Sequence, residues 1–180
     1  MNESKLTPKD RAAAFVGALR RIRNDRGKLA ALRRGLTDNP RMHADAWPVV
    51  AGLGGDIAQP VFITVAALFA THPEESSARN FGDTCRRIAQ GNGKDIPESF
   101  ERRFRRLLAA NDVDDVYGQL RSWIRLAAGN SVGVNYESLF ADLWNWPWYA
   151  EEIRIKWAKS FWHSGENSNP ATSTPNPAIA

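Results

Sequence analysis

A chain of 180 residues with 43% apolar and 24% charged side chains can bury one sizeable helical core or two small lobes, and its formal charge of +4 is modest. The longest apolar-rich stretch, residues 61–70, is too short to span a bilayer, and the polar N-terminus MNESKLTPKD lacks the apolar centre of a signal peptide. The single cysteine, Cys85, cannot form an internal disulfide, so a small buried residue in a reducing cytoplasm is expected, with no membrane partner.

In chain order, Thr7 and Pro8 predict a helix start: the hydroxyl can cap, and proline loses nothing at the first helical position. Ala12, Phe15, Val16, Leu19 and Ile22 then recur at helical spacing as a buried stripe. A second short helix is expected over 27–36 through Leu29, Leu32 and Leu36, ended by Asp38, Asn39 and Pro40. Trp47 and Pro48 open another, which Gly52, Gly54 and Gly55 break. The next helix is expected over 58–70, with Pro60 tolerated in its first turn and Val61, Val65, Leu68 and Phe69 buried. After a polar loop, a helix over 81–90 carries Arg86 and Arg87 and stops at Gly91, where a left-handed residue is needed.

The strongest helix signals lie in the second half. Asp95 is expected to cap a helix in which Phe100, Phe104, Leu107 and Leu108 share one face. Asp112, Asp114 and Asp115 open the next, with Val116, Leu120, Trp123, Ile124 and Ala127 facing inward. A helix over 136–143 leads into Trp144, Trp146 and Trp148 around Pro147, where a tight interhelical corner is expected in preference to a base-stacking platform. Glu151 and Glu152 begin a final helix with Ile153, Trp157 and Phe161 in register. Beyond His163 the composition turns to Ser, Asn, Thr and Pro, which predicts a disordered tail. No alternating strand pattern occurs, so the fold class is all-α: a helical bundle in two lobes, 1–93 and 94–163, with a disordered C-terminal tail over 164–180.

Charge is distributed unevenly. Residues 1–36 hold ten basic side chains against three acidic ones, and residues 37–78 hold one against five. A concentrated basic region attracts a polyanion even when total charge is small. Arginines recur in adjacent pairs, at 20–21, 33–34, 86–87, 102–103 and 105–106, each on a segment of helical periodicity. Their planar forks suit phosphate, while solvated helix faces account for the same pattern without any ligand.

Groups able to do chemistry are few. His43, Asp45 and His72 could approach one another, yet no third or fourth ligand has metal-site spacing, so no metal or other cofactor is expected. Glu151 and Glu152 are explained by their place in a helix's first turn. A catalytic role has little support.

The run D-R-G-K-L-A-A-L before Arg33 and Arg34, the Ala46-Trp47-Pro48 element, Phe81-Gly82 before Arg86 and Arg87, then F-R-R-L-L-A-A, Q-L-R-S-W-I-R-L and a Trp-rich last helix together resemble the CasB family, the small subunit of the type I-E CRISPR surveillance complex Cascade. The likeness spans roughly residues 10–163. It implies an all-helical, non-catalytic subunit that joins other Cascade subunits, a second copy of itself, CRISPR RNA and target DNA, and holds the R-loop open. Arg34 matches the second arginine of the family's R-R motif and Arg121 the arginine of its Q-L-R segment; Arg33, Arg86, Arg87 and Arg125 are added from helical placement as nucleic-acid-binding candidates. Sequence-tolerant phosphate contact fits such a role, because base pairing supplies the specificity. A stand-alone DNA-binding regulator or a helical protein adaptor are the alternatives, the former weakened by the lack of a compact helix-turn-helix signal.

Overall fold

The computed structural model describes residues 6–35, 44–91, 93 and 95–163. Eight helices are present among them: α1 (Pro8–Arg21), α2 (Arg26–Arg34), α3 (Trp47–Gly52), α4 (Pro60–Thr71), α5 (Phe81–Gln90), α6 (Glu98–Leu108), α7 (Val113–Gly129) and α8 (Tyr136–Trp162). The described residues contain no strand, only an isolated parallel bridge between Glu75 and Val134. The all-α expectation therefore holds. The tail expected over 164–180, and the helix stop expected at Asp38, Asn39 and Pro40, lie outside the described residues.

Local chemistry explains most helix starts. Thr7 and Asp10 form a reciprocal capping box on α1, Asp112 caps α7 by accepting from the Asp115 amide, and Asn80 does the same for α5 through Asp83. Asp95 does not cap α6. Pro97 is the extended residue before that helix, with φ −62° and ψ 142°, so the first turn begins at Glu98 and no side chain caps it. Gly91 ends α5 at φ 50°, the left-handed stop that the sequence predicts.

At the centre lies α4, buried on nearly every side, as an apolar helix must be. Helices α1, α2, α3, α7 and α8 pack around it, and α8 also packs against α5. None of the described helices is both long and apolar enough to cross a membrane. Two aromatic clusters fill the core: Phe15, Phe62, Phe140 and Trp144 on one side, and Phe104 stacked on Phe161 at 3.9 Å beside Trp123 on the other.

The last helix folds back on itself. Pro147 removes an amide from the helical ladder, and Tyr149, at φ −131° and ψ 32°, breaks it. Asp142 before the break accepts hydrogen bonds from Trp157 Nε1 at 2.7 Å and from Lys156 Nζ after it. In a straight helix, residues 15 apart would be about 22 Å from each other, so the arms 136–148 and 150–162 form a hairpin. This is the corner expected from the tryptophans. Trp146 fixes it, buried and packed on Trp157.

A second tie joins the loops before α5 and α8. Val134 donates to the Glu74 carbonyl and accepts from Ser76 N, while His72 Nε2 donates to Val132 O at 2.8 Å. Gly133 permits the approach, since a Cβ there would lie 2.5 Å from Glu75 O. Tyr136 closes the joint by donating from its buried hydroxyl to His72 O at 2.6 Å. Tyr136→Phe is expected to cost about 1 kcal/mol, the net worth of one such bond, with helicity unchanged in a thermal melt followed by circular dichroism.

Candidate nucleic-acid interface

Whether an arginine can reach a phosphate depends on what already holds its guanidinium. Several are engaged with the backbone. Arg33 Nε donates to Ala70 O at 2.8 Å near the C-terminal end of α4, where helix carbonyls lack partners, and Arg86 Nη1 donates to Phe161 O at 2.7 Å near the end of α8. Arg154 donates to Ala110 O at 2.5 Å and lies over the Trp146 ring. Arg33 and Arg86 tie helices together and Arg154 ties α8 to the segment after α6, each spending a donor on a backbone carbonyl.

Others are held by carboxylates. Arg20 is bidentate to Glu75, both contacts at 2.8 Å, and reaches Glu137 at 2.7 Å, an arrangement that raises its pKa further, Glu75 being the main cause. Arg34 meets Asp45 at 2.8 Å and Arg87 meets Asp83 at 3.2 Å. Arg102 pairs with Glu98 and Arg105 with Glu101 one turn back along α6. The exposed pairs among these are worth little to stability, so they can yield to a polyanion, although each must first be broken, whereas the carboxylate of Asp83 is buried.

The six candidates from sequence thus divide. Arg33 and Arg86 serve the backbone, and Arg34 and Arg87 are ion-paired. Arg121 is half-buried on α7, whereas Arg125, one turn on, is exposed and forms no ion pair with a described residue. Three helices carry the six: α5 and α7 pack on each other, and α2 packs on α3 and α4.

Arg103 and Arg106 on α6 were not among them. Three residues apart, they share one flank of the helix, and both are exposed without a carboxylate partner among the described residues, while Glu98, Arg102, Glu101 and Arg105 pair along the other side. The signal was available in the sequence: a glutamate four residues before Arg102 and another before Arg105 leave only Arg103 and Arg106 unmatched. With α6 packed on α7, the cations at 103, 106 and 125 stand on neighbouring helices.

Among the described residues, nothing in the remaining chemistry converges. No group of three or more metal-ligating side chains occurs among the described residues. His72 is buried against Val132, Asp45 holds Arg34, and His43 lies outside the described residues. Burial pushes the Cys85 thiol well above its ordinary pKa, which makes it unreactive.

The model of the family described as CRISPR-associated protein Cse2 matches residues 28–162. Among solved structures, a Cse2-family CRISPR-associated protein from Thermus thermophilus is 27% identical with a TM-score of 0.69, over 86% of this chain and 97% of that one. CasB from M. ruber is 26% identical with a TM-score of 0.66, over 87% and 93%. A chain in a structure of a CRISPR RNA-guided surveillance complex is 27% identical with a TM-score of 0.69, over 86% and 92%. No curated protein matches significantly in sequence.

Proposed function

This chain belongs to the CRISPR-associated Cse2 family, and we propose that it serves as a non-catalytic small subunit of an RNA-guided surveillance complex, contacting nucleic-acid backbone to stabilise the R-loop and displaced strand. The observation that carries this reading is the likeness, over most of both chains, to a component of a CRISPR RNA-guided surveillance complex. Its partners would be the other subunits, a second copy of itself, CRISPR RNA and target DNA, in the cytoplasm. The expected lobes 1–93 and 94–163 are proposed as divisions of one packed body, because α8 of the second packs against α1 and α5 of the first.

Such a role asks for cations that meet phosphate regardless of sequence, and Arg103, Arg106 and Arg125 satisfy that requirement with least rearrangement. The test is target-DNA binding by the assembled complex carrying Arg103→Ala, Arg106→Ala and Arg125→Ala together. Affinity is expected to fall on the order of tenfold for unrelated targets alike, and the salt dependence to flatten by about 0.7–0.9 units per lost contact. Alanine is a strong helix former, so the melting temperature should hold. By contrast, Arg33→Ala and Arg86→Ala should lower the melting temperature, since each strips a donor from a helix-end carbonyl. Wild-type affinity and salt slope in the triple variant would reject these positions as contacts.

A further inference from the structure

The corner of α8 carries large apolar side chains that the turn does not require. Pro147 and the broken helical conformation at Tyr149 make the bend, and Trp146 anchors it from inside. Trp148, however, is 69% exposed and Tyr149 54% exposed, with Ile57 also facing solvent. Trp148 lines an open cavity of about 160 Å³ whose walls also include Pro60, Val61, Tyr117 and Pro147. Leaving such rings in water forgoes burial worth about 25 cal/mol per Å², which marks a surface that something else covers.

Charge around this corner identifies the kind of occupant. Three segments meet there, 54–62, 111–120 and 143–153, and they contain six carboxylates and no Lys or Arg, in a chain where basic residues outnumber acidic ones by 24 to 20. Asp56, Asp114, Asp115, Glu151 and Glu152 are all exposed. Two arginines reach this corner, Arg11 over the Trp144 ring and Arg154 3.8 Å from Glu151, and each already donates to a backbone carbonyl, Leu6 O and Ala110 O, so carboxylates still dominate the rim. An acidic rim repels a polyphosphate strand, which argues against base stacking on Trp148. It would equally repel the same face of a second copy in a two-fold contact.

We propose that the α8 corner is a docking surface for a protein, namely a segment of a different chain whose apolar side chain seats beside Trp148 and whose flanking Lys or Arg residues meet the acidic rim. It rests on the reading that this chain works within a multi-subunit assembly, and it assigns that assembly's protein contact to the end of the molecule where carboxylates outnumber cations. Aromatic anchors with a charged rim are the usual anatomy of such contacts, the rings supplying affinity and the charges steering approach.

Two measurements on the reconstituted complex test it. With a photoreactive benzoylphenylalanine in place of Tyr149, irradiation is expected to yield a cross-link to a peptide of another protein subunit with Lys or Arg within a few residues. The double substitution Trp148→Ala and Tyr149→Ala is expected to lower incorporation at least tenfold at limiting subunit concentration, and the helical melt of the isolated chain should stay unchanged, because neither ring is in the core. Cross-links to RNA, to DNA or to a second copy of this chain would overturn the proposal. Undiminished incorporation of the double variant would do the same. Incorporation of the unaltered chain measures membership of the assembly, while the difference between it and the variant measures the docking surface.

Discussion

Gly82→Ala is expected to lose more stability than a glycine-to-alanine change at any other described glycine. A Cβ at position 82 would lie 2.1 Å from the carbonyl oxygen of Trp157 and 2.7 Å from its carbonyl carbon and Cα. Backbone stands on both sides of that contact, so no side-chain rotation relieves it and α5 must move off α8. Overpacking ordinarily costs about 1–3 kcal/mol, and an immovable neighbour puts this case at or above the upper end. Against a total of about 5–15 kcal/mol, and at about 2–4 °C per kcal/mol, the melting temperature should fall by about 10 °C. Gly17→Ala in α1 and Gly118→Ala in α7 are the controls: a Cβ meets nothing within 4 Å at either position. There the better helix propensity of alanine should raise stability by about 0.5–1 kcal/mol. Equal melting temperatures for the three variants would show that α5 and α8 do not approach this closely.

Trp157→Ala should be of similar or larger effect, for a different reason. The ring is wholly buried against Phe81 and Trp146, and its Nε1–H serves Asp142, a carboxylate only 5% exposed. Truncating a buried tryptophan costs about 3–5 kcal/mol through lost burial and cavity, and the carboxylate loses a donor as well. A fall of about 10–20 °C in the melting temperature is expected at 2–4 °C per kcal/mol. Trp157→Phe separates the two terms by keeping an aromatic ring in place, and should cost about 1–3 kcal/mol.

Asp142 also sets a pH dependence. Burial raises its pKa above the ordinary carboxylate value, with the donors Lys156 and Trp157 pulling the other way. Because the folded protein binds this proton more tightly than the unfolded chain, the contribution is fully present below the unfolded value of about 3.9 and is lost as pH rises through the folded one. Asp142→Asn removes that slope while its amide oxygen can still accept from Trp157. Compared at each pH, the variant should gain on the wild type as pH rises above about 4; a constant difference would place Asp142 outside this linkage.

Much of the fold was legible because local signals agreed with packing. The stripes of α1 and α7, the Thr7 and Asp112 caps and the Gly91 stop all stand where periodicity and capping chemistry put them. What failed was local competition: Asp95 loses the cap of α6 to the proline that follows it closely, and the helix expected to end at 143 continues to Tyr149, since Pro147 bends the chain only once its own turn is made. The candidate interface was less legible. Arginine pairs appear alike in sequence, yet Arg33 and Arg86 find backbone carbonyls 37 and 75 residues away, which no local pattern reveals. The pairing that leaves Arg103 and Arg106 unmatched was local, and could have been read.

The packing of α8 against α1 has a consequence for synthesis. The stripe of Ala12, Phe15, Val16 and Leu19 leaves the ribosome well before part of its cover, which is made of residues from 136 on. At about 5–20 residues per second, that surface waits on the order of ten seconds for its partner. Folding of the first helix against its native cover therefore cannot complete until the α8 segment has been made. A premature stop before Phe140 would leave not a shorter domain but a first helix with Phe15 short of its aromatic cover, a substrate for chaperones and proteases.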